Sequence, residues 1–240
     1  MLTVLDLFSG IGGFSLGLER TGGFKTIAFC EIDPFCRRVL NKHWPEVPIY
    51  EDVQKLTLPA GFADVIAGGF PCQDISNAGK GAGIEGERSG LWKEYTRIIG
   101  EVRPRYVLVE NVAALLGRGL GRVLGDLAAL GYDAEWHCIP ASAVGAPHRR
   151  DRVWVVAYAQ RSGFQGLELW QSLLSCSTET FPKHFDSDAP SWNPLDVGAA
   201  LVRARDGVSR QAHRIKSCGN SVVPQIPELI GRAILKAEAA

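Results

Sequence analysis

A cysteine, a glutamate and two arginines have the types and settings that covalent chemistry would use. Cys72 follows directly on a proline in "GGFPCQDISNAGKG", residues 68–81. A thiol becomes a nucleophile when cationic or hydrogen-bonding neighbours favour its thiolate. Without such neighbours it is a small apolar core residue. Glu110 ends the apolar run "RYVLVE". A carboxylic acid at a sheet edge can have a raised pKa and donate a proton, although the same residue can serve as a helix N-terminal charge. Arg150 and Arg152 stand two apart in "PHRRDRVWVV". At a strand start, that spacing points both side chains the same way. They could stabilise a thiolate, or simply form salt bridges on a solvated edge.

A second set of residues fits a ligand. "DLFSGIGGFSLGLER" follows a predicted strand and opens a helix, with glycines at 10, 12 and 13 that let a backbone approach a ligand closely. The dinucleotide fingerprint would need glycine where Ser15 stands. Glu31 lies 21 residues after Gly10, at the end of a second strand, where an acid hydrogen-bonds ribose hydroxyls in Rossmann-like sheets. Asp52, after a short third strand, could hold an adenine amine. This layout suits an adenosine-bearing ligand without a pyrophosphate, such as S-adenosylmethionine. A tight strand-to-helix turn with no ligand is the alternative.

These residues need a scaffold. Apolar runs at 2–8, 25–31, 63–69, 105–111, 133–139 and 152–159 predict strands. Helical spacing is read from 14, over 33–44, 91–102 and 123–131, and again over 223–239. Asp33 is placed to cap the second helix, with Pro34 at its first position. Strands alternating with helices predict a mostly parallel α/β sheet up to residue 159. Cys72 and Glu110 then fall at C-terminal strand ends, the edge where such sheets bind ligands.

Composition bounds the function. The 240 residues, 46% hydrophobic and 22% charged, are ordinary for a soluble globular chain. No apolar run approaches the ~20 residues of a membrane span. "MLTVLDLFSG" lacks a basic n-region and a cleavage site, so a cytoplasmic monomer is expected. None of the six cysteines forms a C-x-x-C pair, which argues against a structural metal site. With 26 basic and 26 acidic residues, a polyanionic partner must be held by local patches.

Together the motifs resemble the cytosine-5 DNA methyltransferase family. "DLFSGIGG", "GGFPCQDIS", "ENV", "HRRDRVWVVA" and "GNSVVPQ" match five ordered motifs of that family. The resemblance covers residues 2–158 and about 207–236. It implies a Rossmann-like S-adenosylmethionine-dependent methyltransferase sheet with helices on both faces, plus a small irregular recognition subdomain. It implies double-stranded DNA as partner, S-adenosylmethionine as methyl donor and a target base flipped out of the duplex. Cys72 would attack carbon 6 of cytosine and Glu110 would hold or protonate ring nitrogen 3. Arg152 would contact the base carbonyl, and Arg150 would orient the acid–thiolate pair. Phe8, Gly10, Gly12, Glu31, Asp52, Leu91, Asn220 and Ser221 would line the cofactor site. The glycine-dense stretch after Cys72 would act as a closing lid, with Lys80 and Arg88 reaching DNA phosphates; an ordinary flexible surface loop is the alternative.

The sequence departs from the family pattern in two places. His148 stands where the family usually has glutamine before its two arginines. Only about fifty residues separate "WVVAYA" from "HRIKSCGNSVV", against a recognition domain on the order of a hundred residues. The family's Arg-Glu motif is absent, and the tail is similar to the shortened tails of phage and prophage members. The expected organisation is a catalytic and cofactor-binding domain at 1–159, a reduced recognition region at 160–206 and a returning segment at 207–240. Segment 160–198 carries two basic residues against five acidic ones, whereas 203–216 carries five basic against one acidic. Backbone contacts are therefore expected at 203–216 and at the 149–152 cluster. The aromatics of 160–198 fit a mini-core better than base contacts. A tRNA cytosine methyltransferase is disfavoured by the lack of a late Cys-Phe-Thr tripeptide. A degenerate, non-catalytic binder of DNA or cofactor is the alternative from a different class.

Overall fold

Near-continuous apolar runs place the central strands between two hydrophobic layers. In the computed structural model, residues 1–71, 91–146, 148–160 and 221–239 are described. Cys72, Lys80, Arg88, Asn220, the expected recognition region beyond Gln160 and the basic run at 203–216 lie outside the described residues.

The strands are β1 (Leu2–Leu7), β2 (Phe24–Cys30), β3 (Ile49–Tyr50), β4 (Val65–Gly68), β5 (Tyr106–Val112), β6 (Tyr132–Pro140) and β7 (Asp151–Ala159). The helices are α1 (Gly13–Glu19), α2 (Pro34–His43), α3 (Trp92–Val102), α4 (Leu115–Arg118), α5 (Leu120–Ala129) and α6 (Gln225–Glu238). Among the described residues, the seven strands form one sheet in the order β3-β2-β1-β4-β5-β7-β6. β3, β2, β1, β4 and β5 are mutually parallel.

Strand alternation sorts the core into two layers. Leu5, Leu7, Ile66, Val107, Val109 and Val155 pack against Tyr95, Ile98 and Ile99 of α3 and Val123 and Leu127 of α5. Leu2, Val4, Val65, Leu108, Trp154 and Val156 pack against Phe14 and Leu18 of α1 and Ile226, Ile230 and Ile234 of α6. The C-terminal helix thus completes the layer that α1 begins. Its far end is fastened to β5, where Glu238 pairs with Arg105 and accepts the Tyr106 hydroxyl at 2.5 Å. α2 starts as expected, with the Asp33 carboxylate accepting the backbone N–H groups of Phe35 and Cys36 and Pro34 at its first position.

The parallel reading holds for the first five strands and changes for the last two. β7 runs antiparallel to β5, and β6 antiparallel to β7. The cause is the short connection from β6 to β7, a single 3₁₀ turn over Ala141–Val144 followed by six residues. A parallel crossover needs a dozen or more residues. The reversal has a functional result: the beginning of β7, with Arg152, lies at the C-terminal edge of β5, with Glu110. No helix among the described residues is long and apolar enough to cross a membrane.

Candidate active site

The C-terminal edge of the sheet opens into a cleft of about 430 Å³, within the usual size of a small-molecule site. Its wall draws on the β1–α1 turn (Phe8, Gly10), the β2–α2 junction (Glu31 to Asp33), residues 51–54, the end of β4 through Pro71, Leu91, the end of β5 and both arginines.

The Glu110–Arg152 pair is built by register. Glu110 lies opposite Trp154 and Val112 opposite Arg152, so the two side chains are diagonal neighbours on one face. Arg152 Nε meets Glu110 Oε1 at 2.9 Å. Glu110 is only 8% exposed. Burial raises its pKa above the ordinary value, and the charges of Arg152 and then Arg150 partly offset that rise. The carboxylate also explains a glycine. A Cβ at Gly69 would stand 2.8 Å from Glu110 Oε2, so any side chain there would displace the acid.

Asn111, the next residue, works on the other side of the strand. Its Nδ2 donates to the Phe70 carbonyl at 3.0 Å, and its Oδ1 accepts from Val112 N at 2.9 Å. Phe70 is further fixed against Trp92, ring centroids 5.2 Å apart. The backbone entering Cys72 is thereby tied to β5 up to Pro71, which lines the cleft.

Both arginines act on the acid: Arg152 makes the ion pair with Glu110, and the Arg150 charge also lowers its pKa. Arg150 sits at φ 37°, a conformation uncommon for a residue with a side chain, and its Nη2 donates to the Ser221 carbonyl at 3.0 Å. It borders the cleft and also a second cavity of about 330 Å³. His148 lies on that second cavity only.

Of the expected cofactor residues, Asn220 lies outside the described ones, and all but two of the remaining seven line this cleft. Glu31 bridges the site, its Oε2 accepting Gly10 N at 2.7 Å and its Oε1 accepting Asp33 N at 2.8 Å. Burial raises its pKa, and those backbone bonds lower it in part. Phe8 takes φ 52° and its ring stacks on Tyr95 at 6.1 Å, whose hydroxyl donates to the Leu108 carbonyl. Backbone strain of this kind is tolerated where surrounding contacts over-determine it. Asp52 and Leu91 also line the cleft. Gly12 and Ser221 do not: they border the second cavity. Gly12 takes φ 86°, and a Cβ there would meet the Trp44 ring at 2.7 Å. Trp44 in turn donates its Nε1 to Glu19 at 2.8 Å. Gly12 therefore serves the turn by letting an indole pack beneath it.

Asp6 was not singled out by sequence. It is fully buried, its Oδ2 accepts the Ser15 hydroxyl at 2.7 Å, and its backbone carbonyl accepts the Ser9 hydroxyl at 2.5 Å. Ser15, where the dinucleotide fingerprint would have glycine, is thus the tie between α1 and β1. Burial pushes the Asp6 pKa up to about 8, with the Ser15 bond offsetting part of the rise. A carboxyl whose folded pKa lies above its unfolded one loses native stability as pH climbs between the two values. Asp6→Asn is therefore expected to gain on wild type between about pH 4 and pH 8, at up to about 1.4 kcal/mol per pH unit, and to hold a constant margin above that. Urea melts of both proteins across this range check it, and a pH-independent difference would contradict a proton on Asp6.

Among the described residues, no cluster of His, Cys, Asp and Glu could hold a metal ion. The chain matches the family model for the C-5 cytosine-specific DNA methylase over residues 2–192. It is 41% identical to type II methyltransferase M2.BsuMI of Bacillus subtilis over 65% of this chain and 42% of that protein. With M.NgoBI of Neisseria gonorrhoeae it shares 34% identity over 85% of this chain and 66% of the relative. Matches to M2.BsuMI, M.DsaV, M.Eco47II and M1.ScrFI span 39% to 47% of those proteins, so the chain spans less than half of their length. A solved E. coli structure, named as a DNA modification methyltransferase encoded within a prophage, superposes with a TM-score of 0.55 at 28% identity, over 66% of this chain and 47% of the other. Dnmt2 methyltransferase of S. pombe shares the fold, with a TM-score of 0.59 at 22% identity over 71% and 55% of the two chains.

Proposed function

Since the chain belongs to the C-5 cytosine-specific DNA methylase family, we propose that it transfers a methyl group from S-adenosylmethionine to carbon 5 of a flipped cytosine in duplex DNA. The observation that carries this reading is the buried Glu110–Arg152 pair at 2.9 Å. It shares one cleft with Phe8, Glu31 and Asp52 and with Pro71, the residue before Cys72. An acid whose pKa burial raises, a cofactor wall and the approach to a thiol then meet at one sheet edge.

The residues fit the cofactor. The Glu31 carboxylate and Asp52 offer acceptors for ribose hydroxyls and an adenine amine, and Phe8 and Leu91 offer apolar surface. When bound, S-adenosylmethionine supplies an electrophilic methyl group. Cys72 adds through its thiolate to carbon 6 of the ring, while Glu110 gives a proton to nitrogen 3. Negative charge then need not build up on the base, and carbon 5 becomes enamine-like. Carbon 5 would take the methyl group as its bond to the sulfonium breaks, releasing S-adenosylhomocysteine, and the carbon 5 proton would then pass to a base. The carbon 6–sulfur bond then breaks, and the nitrogen 3 proton returns to Glu110. Arg152 orients Glu110 and would contact the base carbonyl. Arg150 holds the returning segment at Ser221, next to Asn220. With prokaryotic or phage DNA as substrate, the site of action is the cytoplasm.

The test is transfer of tritium from labelled S-adenosylmethionine to duplex DNA, followed by bisulfite sequencing of host DNA after expression. Label in DNA at a recurring cytosine context is expected. Cofactor binding with no label on any duplex would leave a non-catalytic binder, and label confined to RNA would move the substrate class.

A further inference from the structure

We propose that Arg97 of α3 positions residues 52–56 so that Asp52, Val53 and Gln54 form one wall of the cofactor cleft. The inference rests on the cofactor reading above. Residues 51–54 line the cleft, yet they belong to no helix or strand. Within this stretch the backbone is held by Lys55 N to the Asp52 carbonyl at 3.1 Å and Leu56 N to the Val53 carbonyl at 3.3 Å. Asp52 itself accepts Gln54 N at 3.0 Å. Such a stretch needs an outside anchor to present a carboxylate at a fixed place.

Arg97 supplies it. Its Nη2 donates to the Val53 carbonyl at 2.9 Å and its Nη1 to the Leu56 carbonyl at 2.9 Å. The same guanidinium is locked from behind. Nε meets Glu94 at 2.8 Å and Nη1 meets Glu101 at 2.6 Å, one helical turn to either side. Glu101 also accepts Leu58 N at 3.3 Å. Buried Val53 and Leu56 side chains pull the stretch into the core, and the arginine fork sets its height and rotation. Only a planar, multi-donor cation can span two carbonyls and two carboxylates at once. A loop that closed on the core through Val53 and Leu56 alone would keep its packing and lose the aim of Asp52. A loosened wall must be ordered on binding, which weakens affinity without touching the chemistry.

The experiment compares wild type, Arg97→Met, Arg97→Lys and Arg232→Met as full-length chains. Arg232 pairs with Glu228 on the exposed side of α6 and serves as the control. Calorimetry with S-adenosylhomocysteine gives Kd, methyl transfer gives KM and kcat, and hydrogen exchange of the free protein reports the amides of 54–56. Arg97→Met is expected to weaken cofactor binding about tenfold and to speed exchange at 54–56, with kcat at saturating cofactor within about twofold of wild type. Lysine keeps a charge for the two carboxylates and can reach one carbonyl, so Arg97→Lys is expected to weaken binding about threefold. Arg232→Met is expected to match wild type. Wild-type Kd in Arg97→Lys, or in both variants, overturns the proposal. So does a fall in kcat that follows thermal stability at constant KM. If Arg97→Met does not fold, Arg97→Lys alone decides. A wild-type protein that binds no cofactor overturns the cofactor reading itself, an outcome distinct from a variant that binds as well as wild type.

Discussion

Cys72→Ser is expected to abolish methyl transfer while leaving cofactor binding within about twofold of wild type. A serine hydroxyl is almost fully protonated at neutral pH, whereas a few per cent of an ordinary thiol is ionised there. Carbon 5 of cytosine is a poor nucleophile until carbon 6 carries an added group, so loss of the thiolate stops the reaction at its first step. Removing a covalent nucleophile costs other enzymes on the order of 10⁴-fold or more, and the same scale is expected here. Sulfur and hydroxyl differ little in size, so Pro71, Phe70 and Asn111 should keep their places. Tritium transfer measures the loss. A duplex carrying 5-fluorocytosine provides a second measurement: its carbon 5 bears no proton to lose, so wild type should form a denaturant-resistant protein–DNA adduct and the variant should not. Equal labelling by both proteins would remove Cys72 from the mechanism.

Glu110→Gln has the next largest expected effect, a fall in kcat of about 10²- to 10⁴-fold, the range over which a positioned general acid acts. Glutamine can still face Arg152 and ring nitrogen 3, but it has no acidic proton to give. Because burial outweighs the two arginines, the wild-type acid ionises above the ordinary carboxylate range. The wild-type rate should therefore fall on the alkaline side with an apparent pKa above that range, and this limb should vanish in Glu110→Gln. A pH profile of kcat for both proteins measures it. A variant that retains the alkaline limb would assign the limb to another group. Losing Arg152 is a different case: it strands a buried carboxylate and should raise the Glu110 pKa further.

Much of this site could be read from local sequence. The turn after β1, the Asp33–Pro34 cap and the strand ends at Glu31 and Glu110 follow from periodicity and turn chemistry, whereas the grouping of Phe8 and Leu91 with Gly10 and Asp52 is what the family resemblance implies. Strand direction does not follow from periodicity, because hydrophobic alternation is the same whichever way a strand runs. The mostly parallel reading holds, but it leaves open which strand is reversed: only an antiparallel β7 brings its first residues, with Arg152, to the edge where Glu110 lies. The partition between the arginines depends on the register of Val112 with Arg152 and on Ser221, 71 residues from Arg150. No local pattern encodes either. Asp6 reads as a polar interruption of an apolar strand, and nothing nearby reveals that Ser15 closes over it. Arg97 looks like one charge on an amphipathic helix until the carbonyls of Val53 and Leu56 are placed beneath it. Asn111 had a signal, its position beside Glu110 in "ENV", but its role in holding Phe70 appears only in three dimensions.

The indole under the β1–α1 turn makes two distant positions answer to each other over evolutionary time. With Trp44 in place, a methyl group at position 12 has nowhere to go; with Gly12 in place, a smaller residue at 44 opens a void beside Leu40. Drift at either site should thus be blocked until the other has changed. Even then a double substitution recovers only the lost space, since the backbone at φ 86° continues to select glycine. Lineages that keep the tryptophan should keep the glycine, while those that lose it should retain glycine at 12 more often than they retain any bulky residue at 44.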